Sequence, residues 1–159
     1  MRIVSFVGRS GTGKTTLIER LIGELTARAL RVAVIKHDAH RFDIDREGKD
    51  SWRFTKAGAT VSAIVSAEKS AMVETRPLTL WDMVDRIKDV DVILVEGFGG
   101  EEVPKIGLCR RACGNALPPL PYAAVAADAP VEGYTVRFGL DDIGQIADYI
   151  LNDPIFLFN

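Results

Sequence analysis

The sequence predicts a three-layer α/β fold, with a mainly parallel central sheet and helices on both faces. Three observations point to it. Apolar, β-branched runs alternate with longer segments of helical period, the order expected of successive βαβ units. Several of these runs are continuous Val, Ile, Leu and Ala stretches, as parallel strands covered on both faces should be. A glycine-rich turn also stands between the first strand and the first helix. The length of 159 residues is that of one common domain, so residues 1–159 are expected to form a single one.

Ile3–Val7 opens the chain as a strand. Thr15–Ala29 follows as a helix, with Leu17, Leu21, Ile22 and Leu25 placing an apolar stripe along one side. Arg31–Ile35 and Thr60–Val65 read as further central strands, and Ser70–Thr75 as a short edge strand. Leu80–Val90 has helical period, Val92–Val95 and Tyr122–Ala126 are strands, and Leu140–Leu151 is the last helix. Asp141 and Asp142 lie in the first turn of that helix, where carboxylates favour its dipole, and Asp153-Pro154 should stop it. Three stretches remain as loops: His37–Asp50, Gly97–Lys105 and Gly114–Pro121. The first two follow strands, which is where ligand crevices of α/β sheets gather their residues.

Lys and Arg total 20 against 22 Asp and Glu, a net charge of −2. Such a chain has no broad attraction for a polyanion, so a nucleic-acid partner is not expected and any bound anion must be held locally. The apolar opening is far too short for a signal peptide or a membrane span. With only two cysteines, Cys109 and Cys113, a reducing cytoplasm is the expected compartment and no membrane contact is expected.

The local anion site is Gly8-Arg9-Ser10-Gly11-Thr12-Gly13-Lys14-Thr15, a full match to G-x4-G-K-[ST] between a strand and a helix. Backbone N–H groups of such a loop converge on phosphate oxygens at the helix N-terminus. The expected nucleotide-binding residues are therefore Gly8, Ser10, Gly11, Thr12, Gly13, Lys14, Thr15 and Thr16. Lys14 would reach the β- and γ-phosphates, and Thr15 would offer its hydroxyl to Mg²⁺. The fold expectation thus becomes a P-loop NTPase fold. Val92–Val95 ends in Glu96, a carboxylate on the metal side of the loop where Asp is commoner; it would hold Mg²⁺ through water or orient an attacking water.

Further motifs carry a family resemblance: Lys36-His37-Asp38-Ala39-His40, then Phe42, Asp43, Asp45, Gly48-Lys49-Asp50-Ser51-Trp52-Arg53, Ala57-Gly58-Ala59, Val95-Glu96-Gly97-Phe98 and Pro104-Lys105-Ile106. With these, the chain from Ile3 to about Asp128 resembles the molybdopterin-guanine dinucleotide biosynthesis adaptor proteins, MobB, within the class of dimeric P-loop GTPases. The resemblance implies a homodimer that binds GTP, hydrolyses it weakly, and assists a MobA-type guanylyltransferase in attaching GMP to molybdopterin. Molybdopterin itself is then a candidate ligand. Two alternatives stay open. A small-molecule P-loop kinase would need an Arg-rich lid, and a GTP-dependent metal-insertion chaperone would need a His/Cys cluster.

Within this reading Asp45 is the candidate switch-loop carboxylate that joins Thr15 and Glu96 around Mg²⁺, with Asp43 as the near alternative. Lys14, Glu96 and Asp45 are the expected catalytic set. No obvious Gln or Arg in cis completes a transition-state site, so slow turnover is expected. Asp128, after Ala124–Ala127, would accept the N1–H and exocyclic amine of guanine in bidentate fashion; equally, it could open the turn before Pro130. His37 and His40 face the nucleotide or a pterin phosphate by resemblance, or are ordinary loop histidines. Cys109 and Cys113, four apart, read as reduced thiols, with a zinc site shared across a dimer as the alternative. Arg110 and Arg111 could bind an anion or simply be solvated. Arg9 is either a charge-stabilising finger in trans or an exposed loop residue. Exposed Phe98 and the tail Ile155–Phe158 would dock on another subunit or pack on their own core.

Overall fold

A computed structural model describes residues 1–38, 42, 44–114 and 116–158. They form two compact units: Met1–His37 with Leu80–Asn159, and Asp38–Thr79.

The first unit is built on a parallel sheet of six strands: β1 (Arg2–Val7), β2 (Val32–Lys36), β5 (Val92–Glu96), β6 (Lys105–Cys109), β7 (Ala124–Ala127) and β8 (Arg137–Phe138). Their order across the sheet is β2-β5-β1-β6-β7-β8. The register sets Ser5 opposite Val95 and Lys105, and Phe6 opposite Glu96 and Ile106. Successive residues of a strand point to opposite faces, and both faces are covered. On one, Val4, Phe6, Val92, Leu94, Ile106 and Leu108 pack under helices α1 (Lys14–Ala27) and α4 (Ile143–Asn152). On the other, Ile3, Ile35, Ile93 and Val95 pack with Leu80 and Val84 of α3 (Leu80–Arg86). This is the three-layer arrangement expected from the continuous apolar runs.

The tail closes on its own core. Phe156 is fully buried among α1, α4 and the sheet, Phe158 stacks on Trp81, and Arg2 donates to the carbonyls of Ile150 and Asp153 at 3.0 and 2.8 Å. Those are carbonyls at a helix C-terminus that need donors from outside the helix. Ile155 and Leu157 remain exposed.

The second unit holds α2 (Asp50–Lys56) and an antiparallel hairpin of β3 (Val61–Val65) and β4 (Ser70–Glu74). Here one expectation is corrected: 61–65 is not a strand of the central sheet but pairs with β4 alone, although its composition is that of a buried strand. Its turn is locked by Ser66, whose hydroxyl accepts from the N–H groups of Glu68 and Lys69 and donates to the Lys69 carbonyl. Among the α-helices and strands, three were not expected from sequence: α2, β6 and β8. Lys105 does not end a loop but begins β6, whose apolar run is only Ile106–Cys109 interrupted by Gly107. Among the described residues no helix is long and apolar enough to cross a membrane.

Candidate functional site

β1 delivers the chain to the phosphate loop at the C-terminal edge of the sheet. Gly8 is required there by crowding: a Cβ at this position would lie 2.6 Å from the carbonyl oxygen of Leu108 on the neighbouring strand β6. Gly13, at the start of α1, has φ +94°, a left-handed conformation that L side chains seldom adopt. Between them Thr12 is buried, and its hydroxyl donates to the carbonyl of Arg9 at 2.9 Å. The Lys14 ammonium crosses back over the loop and donates to the carbonyls of Gly8 and Arg9 at 2.9 and 3.0 Å. No side chain caps α1 and its first turn carries no acid, so the positive end of the helix is left for an external acceptor.

On the other side of the loop Thr15 meets Glu96. The Thr15 hydroxyl donates to the two carboxylate oxygens at 3.3 and 3.2 Å, so a hydroxyl and a carboxylate predicted from separate motifs stand together. Two hard oxygen donors side by side suit Mg²⁺, which keeps most of its waters when bound by one or two protein groups. The end of β5 is held in place by its neighbours. His37 N–H donates to the Glu96 carbonyl, Gly97 N–H to Phe6, and the Ser5 hydroxyl to the Gly97 carbonyl. Phe98, expected to be exposed, is half-buried against the core of the α3 face, with its ring 4.6 Å from that of His37 and a backbone φ of 53°. Beyond it the buried Lys105 ammonium donates to the carbonyls of Glu101 and Val103, tying the 97–104 loop to the start of β6. The signal for this clasp was one polar residue heading a short apolar run, too little to distinguish it from a loop end.

A cleft of about 560 Å³ lies beside the loop, its wall formed by Gly13, Thr16, Arg20, Arg110, Asp128 and Asp142 among others. Asp128 follows β7, and its carboxylate accepts from the N–H of Arg111 at 2.8 Å, which fixes its orientation. Arg110, after β6, donates from Nε to the carbonyl of Thr12 at 3.3 Å. Sequence reasoning missed the far wall, Gly139–Asp142, where Asp142 accepts from Gly139 N–H and Arg20 pairs with Asp141. Both acids had a sufficient reading as first-turn helix residues. Arg9 is exposed, with its guanidinium beside Gly114. Cys109 and Cys113 are not joined in a disulfide. Burial, helped by the charge of Asp128, pushes the Cys109 thiol above its usual range, so it is an inert core group at neutral pH.

Asp45 belongs to the second unit. The Ser51 hydroxyl donates to its Oδ1 at 2.8 Å, while its Oδ2 is buried without a hydrogen-bond partner among the described residues. His40 and Asp43 lie outside the described residues, so the paired-histidine reading and the choice between Asp43 and Asp45 extend beyond them. Among the described residues no group of three or more His, Cys, Asp and Glu is arranged to hold a metal.

Comparison with known proteins bears on residues 3–128, which match the family model of molybdopterin guanine dinucleotide synthesis protein B (MobB). The chain is 42% identical over 156 residues to the molybdopterin-guanine dinucleotide biosynthesis adapter protein of Haemophilus influenzae, covering 94% of this chain and 88% of the relative. It is 36% identical over 159 residues to the protein of the same name from Escherichia coli, covering 94% and 91%. Its structure is similar to the crystal structure of Bacillus subtilis MobB, with a TM-score of 0.79 at 28% identity over 95% of this chain and 96% of that one.

Proposed function

Because the chain belongs to the molybdopterin guanine dinucleotide synthesis protein B family, we propose that it is an adapter in molybdopterin guanine dinucleotide biosynthesis that binds GTP with Mg²⁺ and assists a MobA-type guanylyltransferase. The observation that carries the nucleotide half of this reading is the meeting of Thr15 with Glu96 beside a loop crossed by Lys14. Gly8, Ser10, Gly11, Thr12, Gly13, Lys14, Thr15 and Thr16 would cradle the phosphates. Lys14 neutralises their charge, and Thr15 and Glu96 hold the cation, which draws charge from the phosphate oxygens when bound. From the family resemblance, Asp45 of the second unit is proposed as a further, carboxylate ligand of that cation.

Asp128 is proposed to read guanine. A carboxylate oriented by Arg111 N–H accepts the paired N1–H and amine donors of guanine, an edge that adenine lacks. Hydrolysis is slow in this reading, since Lys14, Glu96 and Asp45 position cation and water without a second cationic group on the γ-phosphate side. Residues 1–159 act as one nucleotide-binding domain, with 38–79 inserted between β2 and α3. The working unit is a homodimer, supported by the exposed Val61, Val65 and Met72 on one face of the β3–β4 hairpin, an apolar concentration that marks an interaction site. Cysteines not joined in a disulfide accord with a reducing cytoplasm.

The test is a calorimetric titration of GTP, ATP and molybdopterin into the purified protein with Mg²⁺, followed by dinucleotide cofactor yield from the guanylyltransferase with and without it. GTP preference and a raised yield are expected. Equal affinity for ATP, or an unchanged yield, would overturn the reading.

A further inference from the structure

The cleft next to the phosphate loop contains a cation that the motif does not account for. Arg110 donates from Nε to the Thr12 carbonyl, and its Nη2 lies 3.2 Å from where a Cβ on Gly13 would be. The guanidinium therefore lies against the last two residues before Lys14. It faces the cleft shared by Gly13, Thr16 and Asp128, and among the described residues it forms no ion pair with a carboxylate. A planar group with several N–H donors, already oriented by one backbone bond and unmatched by an acid, is built to meet an anion.

Its place indicates which anion. Lys14 bonds the Gly8 and Arg9 carbonyls at the opening of the loop, and Thr15 with Glu96 marks the cation side. Arg110 is on the remaining side, between the start of α1 and Asp128. From these positions we infer that Arg110 is a nucleotide-binding residue of the base-side half of the site, contacting the α-phosphate and ribose end of the bound nucleotide and not its γ-phosphate. This rests on the proposed nucleotide reading. A group that contacts only the part common to di- and triphosphates strengthens both equally, which is uniform binding. Arg110 then retains the product as firmly as the substrate, and is distinct from an arginine finger.

The test uses the full chain with Mg²⁺ and fluorescent mant-GTP and mant-GDP. Arg110→Ala and Arg110→Gln are compared with the parent, because Gln keeps an N–H donor for the Thr12 carbonyl but loses the charge. If the Ala variant fails to fold, the Gln variant alone decides. Both variants should bind both nucleotides about tenfold more weakly, the worth of one charge-assisted hydrogen bond, by the same factor for GTP and GDP. Parent-like affinity of the Gln variant would reduce Arg110 to a brace of the loop and overturn the inference. A loss confined to mant-GTP would overturn it by moving Arg110 to the γ-phosphate. A parent that binds neither probe nor their adenine counterparts removes the nucleotide reading and this inference together. A parent that prefers mant-ATP removes only the guanine assignment, and the same comparison with mant-ATP and mant-ADP then decides for Arg110.

Discussion

In β5 the residues Val92–Val95 are wholly buried between helices on both faces, whereas in β3, made of nearly the same residue types, Val61, Ile64 and Val65 are 47%, 53% and 79% exposed. The difference lies in what surrounds each strand. β5 is paired on both edges, by β1 and β2, and sandwiched between α1 and α3. β3 has one strand neighbour among the described residues, β4, and packs with the short helix α2 of its unit. A two-stranded ribbon cannot bury both of its faces and is marginal by itself. The apolar surface it leaves in water fits the proposed dimer, in which a second copy would cover it, while the first unit carries the phosphate loop.

Core substitution probes that comparison with the largest effect. Leu94→Ala removes a fully buried side chain and should lower the unfolding free energy in urea by about 2–5 kcal/mol. Val65→Ser in the hairpin should change it by no more than about 0.5 kcal/mol in dilute protein, while shifting the sedimentation profile from dimer to monomer. A loss of stability as large as that of Leu94→Ala would mean that the hairpin face is already packed within the chain.

Next in size is the phosphate loop. Lys14→Ala should weaken GTP binding roughly 100-fold, about 2.7 kcal/mol, with the oligomeric state unchanged; calorimetry and sedimentation on one preparation check both. If the dimer were lost as well, ligand and partner functions would not be separable by unit. Glu96→Gln should leave GTP affinity in the absence of Mg²⁺ within about twofold and abolish the gain that Mg²⁺ confers, since an amide is a poor cation ligand.

The smallest effect comes from Tyr122 in the first unit. Burial, with a lesser contribution from Tyr134, pushes its phenol up to about 12 from an ordinary 10.0. The folded chain therefore keeps this proton where the unfolded chain releases it. The resulting stability is complete below about pH 10 and is lost as pH rises through about 12. Tyr122→Phe should flatten that decline in urea midpoints measured between pH 9 and 12. Parallel curves for parent and variant would show that another group sets the alkaline limit.

Much of the first unit was legible because its signals are local. A strand, a glycine-rich turn and an amphipathic helix in immediate succession leave one arrangement open to residues 3–27. Likewise, a carboxylate ending an apolar strand has only one edge of a parallel sheet to emerge from, which is why Glu96 meets Thr15. The less legible parts depend on distant neighbours. Ile106–Cys109 is a strand because β1 and β7 flank it; alone, with Gly107 in its middle, it reads as loop. Arg110 owes its position over Thr12 to β6 lying next to β1, a pairing that no local pattern records. Phe98 read as exposed because nothing nearby in sequence reveals the core of the α3 face.

By itself the sequence determined the phosphate loop, the parallel α/β class and the family, since each rests on residues within a few positions of one another or on spacings that backbone geometry makes unambiguous. Tertiary structure alone decided which apolar runs are core and which are surface. It also decided where the cleft beside the phosphate loop lies and that Arg110 shares it with Asp128. Burial and proximity between strands are properties of the assembled sheet: the same Val and Ile side chains are driven inward in β5 and left in water in β3 by what the rest of the chain places beside them.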